Sequence, residues 1–198
     1  EFTALQAQGF VRFRVDGVVV EAPDLPVLKK TEKHDVDVVV DRIKLGPDAA
    51  VSLRQRLADA LLGFKDRGLT VSMRNGQVYV SLDNRLMFAS GSWEVQPDGS
   101  SALSELAKVL NENKDLKIAV EGHTDSDEFN GKTAVKDNWD LSVMRATSVV
   151  KILVKQGVKP QRVQAAGRGE HLPVAPNDYP DGKAKNRRTE IIITPNLG

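Results

Sequence analysis

No cysteine occurs in the 198 residues. That excludes disulfides, thiolate zinc sites and thiol catalysis, and leaves reducing and oxidising compartments equally open. No apolar run approaches the roughly 18 residues of a membrane-spanning helix, and the first residues do not read as a secretory leader. An exported chain would have lost its signal or carry it outside this sequence. Charge of one sign is also missing: 28 Lys and Arg stand against 27 Asp and Glu, a net charge of +1. Composition therefore argues for neither nucleic acid nor a membrane surface as partner. What is present is ordinary for a globular chain, 40% hydrophobic and 28% charged, long enough for one generous domain or two small ones.

The first third reads differently from the rest. "FVRFRVDGVVVE" (10–21) alternates apolar and charged residues around Asp16-Gly17, a two-residue hairpin signal. "APDLPVLKK" is a Pro-rich connector, and "KHDVDVVVDRIKL" (33–45) reads as another strand, broken by Gly46-Pro47. A helix follows at about 48–62, with Leu53, Leu57, Ala60 and Leu61 on one face and Gly63 and Gly68 near its end. Strands are then expected at 76–82, 116–122, 162–167 and 188–194, with helices at about 99–113 and 138–156. Asp98 and either Asp137 or Asn138 suit N-caps, and Gly157 suits a stop. This order predicts an α+β fold: a β-α-β-α-β sandwich with helices packed on one mixed sheet, preceded by a small β-rich segment with one helix. The expected division is 1–50, a helical linker at 51–67, and 68–198.

One residue on the second helix looks misplaced. Leu141, Met144, Val149 and Ile152 recur at helical spacing and mark a buried stripe, yet Arg145 lies on or beside it. Just upstream, "EGHTDSD" (121–127) follows the apolar strand, where ligands of such sheets commonly sit. Asn138, Leu141 and Arg145 share one face of the helix's first two turns, so a loop carboxylate and a helix guanidinium can flank one small space. Such a pair suits a zwitterion, Asp125 taking an ammonium and Arg145 gripping a carboxylate. From spacing alone, a plain internal ion pair between Asp125 and Arg145 is the commoner arrangement.

These motifs stand in order: Gly122 to Asp125, Asn138-x-x-Leu141-Ser142-x-x-Arg145-Ala146, Gly167-x-Gly169, Pro173, and Asn186-Arg187-Arg188-x-Glu190. Together they resemble the OmpA-like peptidoglycan-binding domain over about 68–198. The resemblance implies a non-catalytic module that grips the diaminopimelate of the peptidoglycan stem peptide, without cofactor, metal or nucleic acid. It implies a periplasmic chain that anchors an outer-membrane or envelope protein to the cell wall. Asp125 and Arg145 are then the two grips, with Asn138, Thr124 and Leu141 shaping the pocket and Arg187 or Arg188 bordering it. The spacer "SDEFNGKTAVKD" (126–137) is longer than usual and adds Asp127 and Glu128, which would form part of the rim.

The first third is similar to another family. "LQAQGFVRFRVDG" and "KKTEKHDVDVVVDR" resemble the UvrB-binding domain of UvrA over residues 1–45, and "LRQRLADAL" extends the likeness to 61. No phosphate loop or zinc-binding cysteine set accompanies it, so at most a docking module for UvrB is implied. UvrA works in the cytoplasm, so the two resemblances disagree about compartment. The chain therefore reads as a composite, a fusion or a misjoined reading frame ahead of a natural two-domain protein.

His34, His123 and His171 are too scattered to suggest a metal site, and His123 is expected to hydrogen-bond within its strand-end loop. Asp125, Asp127 and Glu128 lack the spacing of a calcium loop and a partner for hydrolysis. "KAKNRR" (183–188) reads as a solvated edge, "GRG" (167–169) as a turn, and Trp93 and Trp139 as packing anchors.

Overall fold

The computed structural model describes residues 12–21, 25–26, 28, 33–38, 47–131 and 133–195. The chain splits into two compact units, Glu1–Lys44 and Leu45–Gly198. In the first, β1 (Arg12–Val15) pairs antiparallel with β2 (Val18–Glu21) and with β3 (Val36–Val38). Asp16 and Gly17 take φ of 51° and 87°, the paired positive values that an Asp-Gly hairpin loop accommodates. The remainder of the strand expected over 33–45 and most of the Pro-rich connector lie outside the described residues.

The second unit is one five-stranded sheet. Its strands are β4 (Leu69–Arg74), β5 (Gln77–Asp83), β6 (Leu116–His123), β7 (Val163–Gly167) and β8 (Arg188–Pro195), in the order β4-β5-β8-β6-β7. Only β6 and β7 are parallel, and such a pair needs a crossover. The long helix Asn138–Lys155 supplies it. The last strand, β8, lies between β5 and β6, antiparallel to both, with Ile191 and Ile193 fully buried.

Among the described residues five α-helices belong to this unit: α1 (Pro47–Ala60), α2 (Asn84–Met87), α3 (Pro97–Glu112), α4 (Asn138–Lys155) and α5 (Pro180–Asn186). Leu53, Leu57 and Leu61 join Val78, Val80, Leu103, Leu106, Leu110, Ile118, Val149 and Leu153 in one core. The segment expected to be a linker is thus part of that core. The strand β4 escapes the sequence reading, although Asn75-Gly76, with φ of 50° and 75°, marks the hairpin that joins it to β5.

One N-cap differs from expectation and one agrees with it. Pro97 opens α3 with Gln96 at the N-cap, and Asp98 sits inside the first turn. Proline's fixed φ starts the helix one residue early, and Asp98 acts on the helix dipole instead. At α4 the cap is Asp137, whose carboxylate accepts the Asp140 N–H at 2.9 Å. The far end of α3 is closed from outside: buried Arg162 donates to the carbonyls of Leu110, Asn113 and Leu116 at 3.0, 2.6 and 3.0 Å.

Candidate functional site

The buried stripe of α4 runs through Leu141, Ser142, Arg145, Ala146, Val149 and Leu153, while Met144 and Ile152 sit at its margin. The stripe is rotated from the expected one because α4 docks against β6 and β7 through small residues. A Cβ on Gly122 would lie 2.1 Å from the Ser142 carbonyl oxygen, and one on Gly167 would lie 2.5 Å from the Ser142 Oγ. Only glycine permits that approach. It sets the first turns of α4 beside the carboxyl end of β6, where the chain leaves the sheet as Thr124-Asp125.

A cleft of about 430 Å³ opens there. Thr124, Asp125, Asn138, Leu141, Arg145 and Arg187 all line it, so six of the seven residues picked from the sequence converge. Arg188 does not. Its neighbour position in β8 turns it to the other side of the sheet, where its Nε donates to Glu190 at 3.1 Å. The spacer contributes Asp127, Glu128 and Phe129 to the rim. With Arg85 included, three acids and three arginines surround the cleft, a balanced set suited to a ligand of both signs.

Asp125 and Arg145 do not form the ion pair that spacing suggests. The carboxylate of Asp125, 5% exposed, pairs with Arg187 Nη1 and accepts the Asp127 N–H at 3.1 Å. Arg145 is 6% exposed, donates from Nε to the Ser92 carbonyl at 2.9 Å, and lies 5.2 Å from the centre of the Phe88 ring. Among the described residues no carboxylate comes within 4.0 Å of it. Burial pulls its pKa down to about 10, with Asp125 opposing and Arg187 assisting. It remains charged at neutral pH. Ser92 and Phe88, which hold it, come from an irregular stretch 50 residues upstream, and no local spacing in the sequence points to them.

Asn138 ties the loop to the helix, donating to the carbonyls of Asp125 and Asp127 at 3.4 and 2.9 Å and to Glu170 at 3.1 Å. Thr124 donates to the Asp125 carbonyl at 2.9 Å. Asn186 is no solvated edge residue: fully buried, it accepts from Val174 and Ala175 N–H and donates to Ala175 and Asn177. It thereby fixes the 172–177 loop over α5 and β8. Trp139, expected to be a packing anchor, is half exposed and stacks on His171 with ring centres 4.8 Å apart. The position of Trp139 at the second residue of α4 turns it outward, away from the stripe. His123 also differs: its ring is buried, and neither nitrogen has a hydrogen-bond partner among the described residues. Burial, reinforced by Arg188, lowers its pKa to about 4.

Comparison with known proteins also finds two parts, with a border that differs from that of the compact units. The OmpA family profile matches residues 87–187, and the UvrA interaction domain profile matches residues 1–81. The probable lipoprotein YiaD of Escherichia coli is 35% identical over 71% of this chain and 60% of its own length. The UvrABC system protein A of Neisseria meningitidis is 42% identical over 38% of this chain but only 8% of its own. Among solved structures, the cell wall anchor of the T6SS from Pseudomonas aeruginosa superposes with a TM-score of 0.66 at 31% identity, over 72% of this chain and 99% of that one. The chain thus spans a fraction of the curated relatives it matches. Among the described residues no helix is long and apolar enough to cross a membrane.

Proposed function

Because the chain belongs to the OmpA family, we propose that its second unit is a non-catalytic peptidoglycan-binding module. It takes the amino-acid end of diaminopimelate in the stem peptide, and so tethers an envelope or outer-membrane protein to the cell wall from the periplasm. The observation that carries this reading is Arg145, a guanidinium almost wholly out of water with no carboxylate of its own, lining a cleft opposite Asp125. Leaving such a group unpaired costs several kcal/mol relative to a paired one (roughly 3–5 when a buried pair loses one partner), so a permanent structural role is a poor account of it. A ligand carboxylate restores the missing partner. The ligand's ammonium then meets Asp125, which shares its charge between Arg187 and the newcomer. The cell wall anchor among the structural relatives supports the class of ligand.

Co-sedimentation with diaminopimelate-type sacculi tests it. The wild-type chain is expected in the pellet and Arg145→Ala in the supernatant, with circular dichroism unchanged. A loss of at least tenfold in affinity is expected, since hydrogen bonds to charged groups contribute about 1.5–3 kcal/mol. Equal sedimentation of both would refute the role given to Arg145, and release of soluble muropeptides would make the protein a hydrolase.

A second reading attaches to residues 1–81, where the UvrA interaction domain profile matches. There the function is docking to UvrB. Capture by UvrB that disappears on deletion of residues 1–44 supports it, and no capture by the full chain removes it.

A further inference from the structure

We propose that Glu121, His123 and Glu190 form a binding site for a divalent transition-metal ion of the zinc class, on the face of the sheet turned away from α4. The proposal stands apart from the ligand reading of the cleft. Register sets it up: Glu121 in β6 lies directly opposite Glu190 in β8, and His123 opposite Arg188. Positions 121 and 123 point to the same face, as do 188 and 190. Two carboxylates placed directly across a ladder repel each other. Here both side chains are also mostly removed from water, at 12% and 6% exposed.

The way these groups are satisfied leaves a gap of particular shape. The Glu121 Oε1 accepts from Arg168 at 2.6 Å, and the Glu190 Oε1 accepts from Arg188 at 3.1 Å. Their Oε2 atoms both face His123 Nε2, each at 3.8 Å. That is too long for a hydrogen bond. The imidazole, 1% exposed, consequently has neither nitrogen partnered among the described residues. A buried ring nitrogen aimed between two carboxylate oxygens, and bonded to neither, is costly unless something occupies the space between them.

An ion fits that space. One donor atom from each of the three residues lies within 4.8 Å of the others. Zinc-class ions bond imidazole nitrogen and carboxylate oxygen at about 2.0–2.2 Å, so two donors on one ion stand roughly 3.4 Å apart at tetrahedral angles. Small rotations of the glutamates close the difference. One imidazole and two carboxylates suit zinc, manganese or iron better than calcium, which would take six or more oxygens. The two arginines act as outer partners that fix the carboxylate planes, the role such groups have around metal ligands generally. Together with Arg74, whose Nη2 lies 3.6 Å from the Glu190 Oε1, they offset the site's negative charge, which favours an ion that bonds to imidazole over one held by charge alone. A groove of about 860 Å³, lined by Tyr79, Lys117 and Gln164 among others, reaches the trio and leaves room for water at the remaining positions. An ion there would clamp β6 to β8 two residues before Asp125 and three after Arg187.

Titration of the chelator-treated, untagged full chain with Co²⁺, followed by visible absorption, tests the site. Saturation at one ion per chain is expected, reversed by Zn²⁺, with affinity falling at least tenfold in His123→Gln and in Glu121→Gln. Absence of saturable uptake, or uptake equal in wild type and folded His123→Gln, overturns the proposal. Should either variant fail to fold, the wild type decides by paramagnetic NMR. The ring signals of His123 are expected to shift and broaden while those of His34 and His171 stay; shifts at the other two, or at none, overturn it.

Discussion

A guanidinium held by the Ser92 carbonyl and the Phe88 ring, with its burial uncompensated by a carboxylate, opposes folding while it equips the cleft. The two effects separate in Arg145→Met, which keeps the side-chain bulk and removes the charge. Its melting temperature is expected to equal or exceed that of the wild type, while binding to sacculi is lost. A structural ion pair would give the opposite result, a clear drop in melting temperature in calorimetry. Arg145 itself is legible in the sequence because a charge interrupts an apolar stripe. Its true surroundings are not, because Ser92 and Phe88 reach it from one distant segment and Arg187 from another. Arg187 and Arg188 cannot be told apart by type or neighbourhood until the fold puts one at the end of α5, in the cleft, and the other at the start of β8, beside Glu190.

Among the elements, the contact of α4 with β6 and β7 positions the cleft. Gly122→Ala puts a methyl carbon into the Ser142 backbone, which must yield because no flexible side chain stands in the way. A loss of about 1–3 kcal/mol is expected from overpacking. Weaker sacculus binding should accompany it, since Asn138 and Arg145 move with the helix; denaturant titration and co-sedimentation measure the two. Arg162 works at the other end of the sandwich, donating to three carbonyls where α3 ends and β6 begins. Arg162→Met leaves those acceptors buried without a donor, and roughly 2–4 kcal/mol of stability should go, with binding by the remaining folded protein unchanged. The long, strongly periodic helices and the strands rich in Val and Ile are readable from sequence. The strand β4 is not, because "LTVSMR" alternates weakly and owes its place to pairing with β5. The short helices α2 and α5 follow from tertiary contacts, as the buried side chain of Asn186 illustrates.

At the scale of the whole molecule, the two family matches end and begin at residues 81 and 87, well beyond the border between the compact units at residue 44. The segment matched by the UvrA profile therefore includes α1, β4 and β5, which complete the core of the second unit. Two truncations should behave differently. Removal of residues 1–44 is expected to leave a folded, cooperative second unit. Removal of residues 1–81 strips Leu53, Leu57, Leu61, Leu69, Val78 and Val80 from the core and exposes the edge of β8. That product should be unfolded or aggregated, as circular dichroism and size-exclusion chromatography will show.

The pairing of Asp125 with Arg187 has a kinetic consequence. A cleft whose carboxylate is already neutralised does not seize a cation from water; it trades one cation for another. Arg187, partly exposed and close by, stays ready to take the carboxylate back, so each departure of the ligand has an internal competitor to hasten it. Under the binding reading, attachment would be held by many brief contacts along the wall, and each could let go and re-form as the wall is cut and extended beneath it.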